Sequence, residues 1–362
     1  MDSVFGAQKV DRSLLKALKF AFFKWSSKDE EDDEELAQLE ANFFRLSRVE
    51  FQEDGSIKRK QSALKAHVLN AQNVLLVIHG IIGDTKTIVE HLPRIVNDQG
   101  RSMTDEYDLV LSFDYENLDT PIEQIAQKLE EALAAAGIDA NWGQNLTILA
   151  HSMGGLVSRC LIERPERAGA SFVKHLIMAG TPNQGSPFGD VPNWLHFART
   201  GLEIAANFLP SNISSFGDFF NKLRNKAPAN GMDIFNTLEQ MRPNSPLLQQ
   251  LNDPTAAAPN VRYSIIAGNS ADYKVDGNKF QRFAEKAQIR IGDLMNDGED
   301  HDIAVSLESI NNELSVGANT TTVWASRGQA IAEGDMQEVA CHHLNYFITP
   351  VSMNAIAKIA IP

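Results

Sequence analysis

Between Leu146 and Arg159 the chain reads LTILAHSMGGLVSR, an apolar, partly β-branched run that delivers a histidine and a serine and is followed at once by two glycines. A serine hydroxyl is a weak nucleophile until a neighbouring base takes its proton, and an imidazole needs a carboxylate to hold its tautomer. Ser152 has the setting for such a role. A strand ending at Ala150 and a helix beginning near Gly154 would place it on a sharp turn at the carboxyl edge of a sheet, where open α/β sheets bind their ligands. Small neighbours, here Gly154 and Gly155, let the backbone pass close by while the hydroxyl projects. The helix start supplies N–H groups and a positive dipole end to a developing oxyanion. The chemistry that fits is acyl transfer.

Such a site needs elements that bring its parts together. Short, nearly continuous apolar runs recur at Val74 to Ile78, Leu109 to Phe113, Leu146 to Ala150, Val173 to Ala179 and Val261 to Ala267, as expected of strands buried on both faces. Helical segments separate them. In one, Thr120 is expected as N-cap, Pro121 at the first helical position, Glu123 closing a capping box and Gly137 as the stop. Val49 and Phe51 alternate before Asp54-Gly55, which predicts a hairpin. This alternation of strands and helices implies a mostly parallel central sheet flanked by helices. Between Thr181 and Val261 the strand signal lapses into a stretch with Trp194, Phe197, Phe208 and Phe216, read as an inserted helical lid or cap over residues 186–256.

A net charge of −14 repels phosphate backbones, so nucleic acid is not an expected partner. Two cysteines, Cys160 and Cys341, make no disulfide framework. Leu14, Leu15, Leu18, Phe22 and Trp25 share one helical face, and residues 12–25 could bring the protein to a membrane surface or a protein partner. Seven consecutive acids, Asp29 to Glu35, follow and read as a solvated linker. The expected organisation is an N-terminal helix and acidic linker over residues 1–40, then one domain over 41–362. With no secretory signal and no uncharged apolar run long enough to span a bilayer, the expected location is cytoplasmic, signal-less export remaining open. The cluster Glu299, Asp300, His301, Asp302 has no second set of well-spaced ligands to support a metal, and no cofactor is expected.

The segment around Ser152 resembles the nucleophile elbow of the α/β-hydrolase superfamily, its serine lipases and esterases in particular. AHSMG stands where the family writes GxSxG, with Ala150 for the first glycine, a variant also found in small bacterial lipases. VLLVIHGIIGDT resembles the strand and HG loop that carry the oxyanion hole. The resemblance implies that the backbone N–H groups of Ile81 and Met153 form that hole, with His79 fixing its loop. The family order of nucleophile, acid and base places both partners downstream of Ser152. Asp302, in DIAVSLES, matches the DGVVPVES segment that carries the acid in GPI inositol-deacylase-like lipases; Asp297, in NDG, resembles the acid loop of some bacterial lipases and is the alternative. His343, in HLNYF, resembles the base-bearing ending, with His342 as the alternative. GTPNQGS and MRPNSPLLQQLND also resemble family segments, so the likeness runs from about residue 73 to residue 347. It implies hydrolysis of a lipid or other hydrophobic carboxylic ester through a Ser-His-Asp triad. Thioesterase or peptidase chemistry, and a non-catalytic interaction module, are the alternatives on the same fold.

Overall fold

The computed structural model describes residues 44–81, 85–116, 120–187, 236–273, 296, 298–316 and 319–361. Residues 12–25, most of the inserted segment and Asp297 lie outside them. A hairpin, β1 (Arg45–Phe51) and β2 (Ile57–Lys60), turns at Asp54-Gly55, where Gly55 takes the left-handed φ of 76°. The five apolar runs become β3 (Asn73–Ile78), β4 (Leu109–Asp114), β5 (Asn145–His151), β6 (Val173–Ala179) and β7 (Arg262–Gly268). Beyond them, β8 (Glu313–Val316) and β9 (Asn319–Thr322) form a separate small hairpin, and β10 (Met336–Val339) joins the main sheet. The eight strands of that sheet run in the order β2-β1-β4-β3-β5-β6-β7-β10. All pairs from β4 to β10 are parallel, and β1 and β2 pair antiparallel at one side.

Strand periodicity divides the interior into two layers. Leu76, Ile78, Leu111, Phe113 and Ile148 face a core shared with α2 (Ile122–Ala135) and α3 (Met153–Glu163), which follow α1 (Leu64–Asn70) in the chain. Leu75, Val77, Leu149 and Ile177 face the opposite core. Two shorter helices, α4 (Pro246–Leu251) and α5 (Leu307–Asn311), precede α6 (Pro350–Ala360), which covers this second face through Ile356, Ala357 and Ile359. Burying each such Leu, Ile or Val side chain stabilises the fold by about 1.5–3 kcal/mol relative to exposure. Among the described residues, no helix is long and apolar enough to cross a membrane.

One local expectation fails. The α2 helix begins at Ile122 with Pro121 as its N-cap residue, and Thr120 Oγ1 has no hydrogen-bond partner among the described residues. Glu123 does not close a capping box. Gln240 Oε1 accepts from Ile122 N–H at 2.7 Å, Glu116 Oε2 accepts from Thr120 N–H at 2.7 Å, and Glu123 accepts instead from Gln240 Nε2 at 2.5 Å. A tertiary contact has displaced the local cap. Gly137 ends the helix as expected, at φ 94°, with Ile138 N–H reaching Leu133 C=O at 2.9 Å.

Behind α3 lies a buried ionic cluster that ties distant segments to the helix. Arg159, with no exposed surface, donates to Glu163 at 2.7 and 3.0 Å, to Asn183 and Asn252 at 3.1 Å each, and to Leu251 C=O at 2.7 Å. Its guanidinium lies 5.1 Å from the centroid of the Trp324 ring. Arg327 Nη1 shares Glu163 Oε2 with Arg159, at 3.1 Å. Removing one partner of such a cluster leaves charge buried and underpaired. Arg159→Ala is therefore expected to lower the unfolding free energy by about 3 kcal/mol, measured by urea denaturation; a loss below about 0.5 kcal/mol would contradict the role assigned to the cluster.

Candidate active site

Strand β5 ends at His151, and Ser152 N–H still donates to Ala179 C=O at 2.9 Å, one rung beyond the ladder. The chain then reverses into α3. Ser152 makes that turn at φ 53°, ψ −128°, a conformation that costs a non-glycine residue about 1–3 kcal/mol and that its surroundings must enforce. They do so by close approach. A Cβ on Gly80 would come 2.7 Å from Ser152 Cβ, one on Gly154 would come 2.4 Å from His79 C=O, and one on Gly155 would fall 2.0 Å from Thr181 Oγ1. The glycines seen in the sequence thus pack the elbow against the ends of β3 and β6.

Two loops from far along the chain converge on this turn. His343 Nε2 lies 2.8 Å from Ser152 Oγ, and His343 Nδ1 lies 2.7 Å from Asp302 Oδ2. The carboxylate can only accept, so Nδ1 carries the imidazole proton and Nε2 is left to accept from the serine hydroxyl. The backbones are joined as well: His343 N–H donates to Asp302 C=O at 2.7 Å. Asp302 is fully buried, and its Oδ1 accepts from Ala304 N–H at 3.1 Å and Val305 N–H at 2.9 Å. The GTPNQGS segment clamps the loop and helix that follow Asp302, with Ser186 Oγ donating to Ala304 C=O at 2.6 Å and Asn183 Nδ2 to Ile310 C=O at 2.8 Å.

His342 points away: its Nδ1 accepts from Leu344 N–H at 3.2 Å and its ring packs edge-on to Tyr273, outside the bonded chain of Ser152, His343 and Asp302. Asp297 lies outside the described residues. Met153 opens α3 directly after Ser152, so its N–H has no acceptor within the helix. Ile81 is buried just after Gly80, the residue packed on Ser152. His79 fixes that loop, donating from Nδ1 to Gly80 C=O at 2.7 Å, accepting at Nε2 from Tyr115 N–H at 3.2 Å and stacking on the Tyr115 ring at 4.1 Å.

Two further side chains touch Asp302 and His343. His151, next to the serine, lies 5.0 Å ring to ring from His343 and donates from Nε2 to His343 C=O at 2.8 Å. Burial pushes it down to about 3, so it stays neutral and its N–H stays a donor. Tyr346 donates its hydroxyl to Asp302 Oδ2 at 2.8 Å. The adjacency of His151 to Ser152 was a usable signal; nothing local marks Tyr346.

A second Ser-His-Asp set occurs near the amino ends of β6 and β7. His175 Nε2 lies 2.7 Å from Ser264 Oγ, which donates to Asp335 Oδ1 at 2.6 Å, and Arg262 holds the same carboxylate. Here the serine proton goes to the carboxylate and the histidine must be the donor. That arrangement pins the approach to β10 and does not activate an alcohol.

The strand order, the elbow after β5 and the loops gathered at the carboxyl edge define an α/β-hydrolase fold. Solved structures with this fold include EstA from Clostridium botulinum, 14% identical, matched over 80% of this chain and 86% of that one with a TM-score of 0.50. Similar figures hold for the mature Bacillus licheniformis lipase BlEst2 (16% identity, 80% and 92% coverage, TM-score 0.45) and Staphylococcus hyicus lipase (12%, 80% and 93%, TM-score 0.44). No curated protein sequence matches the chain significantly. Residues 43–360 match the family described as "Domain of unknown function (DUF7379)", and the chain belongs to that family.

Three buried histidines give the fold a pH dependence whose sign can be stated. Burial pushes His151 down to about 3 and His175 and His342 to about 4, against about 6.5 in the unfolded chain. The unfolded chain therefore binds protons that the native one refuses, and stability is lost as pH falls from about 6.5 towards about 4, by up to ~3 kcal/mol for each group. Urea unfolding followed across that range is expected to show proton uptake on unfolding. His175→Gln keeps a donor for Ser264 and should flatten the slope; an unchanged slope would contradict the assignment.

Proposed function

We propose that this protein is a serine hydrolase that cleaves carboxylic esters through an acyl-enzyme. The observation that carries this reading is the chain of hydrogen bonds Ser152 Oγ, His343 Nε2 (2.8 Å), His343 Nδ1, Asp302 Oδ2 (2.7 Å), mounted on a turn of positive φ at the carboxyl edge of the sheet. In the first half-reaction Ser152 Oγ attacks the ester carbonyl while its proton passes to His343 Nε2. The carbonyl oxygen takes the negative charge and is met by the N–H groups of Ile81 and Met153. Each such donor is typically worth about 3–4 kcal/mol in the transition state. The tetrahedral adduct collapses as His343 returns the proton to the leaving alcohol. Water, deprotonated by His343, then releases the acid and restores the serine. Asp302 holds the imidazole in the required tautomer and steadies its positive charge throughout.

The aromatic-rich sequence of residues 186–256 supports an apolar acyl group, and hence a lipid or other hydrophobic ester. The test has two parts. The wild-type chain should react with a fluorophosphonate at Ser152 and hydrolyse a panel of p-nitrophenyl esters, with kcat/KM rising with acyl length. Ser152→Ala should abolish labelling and lower kcat by roughly 10⁴-fold or more with its unfolding curve unchanged. A folded wild type that neither labels nor hydrolyses any ester of the panel would overturn the proposal.

A further inference from the structure

Tyr346 has no exposed surface, and its hydroxyl bridges two elements of the site. It lies 2.7 Å from Gly268 N at the end of β7 and 2.8 Å from Asp302 Oδ2. The direction of both bonds is forced, because an amide can only donate and a carboxylate only accept. The phenol therefore accepts from Gly268 and donates to Asp302. It retains its proton: burial first, and then the charge of Asp302, push it well above the usual phenol range.

The slot that holds this phenol is built for it. Gly180, at the end of β6 with φ 61°, would bring a Cβ within 2.6 Å of Tyr346 Cε2 and 2.8 Å of Asp302 Oδ2. A Cβ on Gly268 would stand 2.7 Å from the phenol oxygen. The Tyr346 backbone is fixed in turn by Ser352 Oγ–H, which donates to its C=O at 2.6 Å. Of the four donors on the Asp302 carboxylate, two come from Ala304 and Val305 in its own loop and one is the imidazole to be oriented. Tyr346 is the donor that refers the carboxylate to the sheet.

We infer that Tyr346 is a positioning residue, whose hydroxyl sets the orientation and the available charge of Asp302 Oδ2 and through it the basicity of His343; the inference rests on the serine-hydrolase reading above. The donor on Oδ2 draws off part of the negative charge that His343 Nδ1–H feels. Without it the charged imidazolium is favoured over the neutral base. The base would then be lost, through protonation, at a higher pH.

Tyr346→Phe removes the hydroxyl and keeps the ring. Its expected effects are a roughly 10- to 100-fold fall in kcat with KM within about twofold, and an acid limb of kcat/KM moved up by ~0.5–1 pH unit. Site-specific 3-fluorotyrosine at 346, a stronger donor of nearly the same shape, should move that limb the other way. Among the described residues, titratable side chains around the Asp302 and His343 pair include His151, bonded to His343 C=O, His342 and Cys341, whose electrostatics feel Asp302, and Tyr346, bonded to Asp302 Oδ2; His301 precedes Asp302 in the chain, and His79 lies beyond His151. His151 and His342 are held neutral down to about 3 and about 4, and burial keeps Cys341 protonated. His79 Nε2 and His301 Nδ1 are engaged by backbone N–H groups of Tyr115 and Ile303.

The proton NMR resonance of His343 Nδ1–H gives a readout independent of turnover. It should move downfield in Tyr346→Phe and upfield with 3-fluorotyrosine, while Ser152→Ala preserves the response to both changes. If Tyr346→Phe does not fold, the fluorinated chain carries the test. An unmoved acid limb and an unmoved resonance in both variants would overturn the inference. Resonance shifts of the expected signs in the two Tyr346 variants, alongside a wild type that neither labels nor hydrolyses esters, would overturn the ester-hydrolase reading and leave the positioning of Asp302 standing.

Discussion

A carboxylate cut off from water is stable only when donors meet it on every side, and Asp302 is such a group. Much of the site's layout follows from this requirement. Its Oδ1 is met by Ala304 and Val305, which fixes the conformation of the acid loop itself. Its Oδ2 is met by His343 and Tyr346, which obliges the loop after β10 to fold back across the ends of β6 and β7. Gly180 and Gly268 stand at those strand ends because a side chain at either would occupy the space of the phenol. Once His343 is anchored at Nδ1 and at its backbone N–H, Nε2 has little freedom, and the elbow has to present Ser152 at that spot. Removing one donor would leave a buried charge short of a partner, so the constellation behaves as one unit rather than as three residues.

How far the chain itself discloses this arrangement depends on where the information sits. The five strands buried on both faces are legible because nearly every residue in them must be apolar, whichever way it points. Strand β10, MQEV, carries one buried side chain in four and leaves no apolar run to notice. The setting of Ser152 is legible because an elbow needs its glycines within a few residues. His342 and His343 are adjacent and chemically alike, so nothing in the residue types separates them. The separation lies in the backbone, where His343 N–H is bound to Asp302 C=O while His342 N–H is bound to Asn345 Oδ1. A tyrosine three positions beyond a histidine is ordinary in a sequence. Its meaning arises only when β7, the loop bearing Asp302 and the loop bearing His343 meet. The α2 cap departs from its sequence expectation for the same reason, since Gln240 supplies from afar what Thr120 could have supplied locally.

The two Ser-His-Asp sets of this protein show why residue types alone do not define a nucleophile. Both have hydrogen-bonding distances between 2.6 and 2.8 Å, and both are buried. In one the imidazole lies between serine and carboxylate, so that it can take the serine proton and have its own held. In the other the serine lies between, and its proton is already committed to Asp335. Position in the sheet reinforces the difference. Ser264 sits within extended β7, its hydroxyl spent on joining neighbouring segments, whereas Ser152 sits past the end of β5 at a φ that costs about 1–3 kcal/mol. That cost is tolerated because the ladder bond to Ala179 on one side and the bond from Gly155 N–H to Ser152 C=O on the other hold the turn closed. A strained serine kept in place by bonds from both flanks, with the Nε2 of His343 at 2.8 Å from its hydroxyl, is an arrangement that packing has no reason to produce.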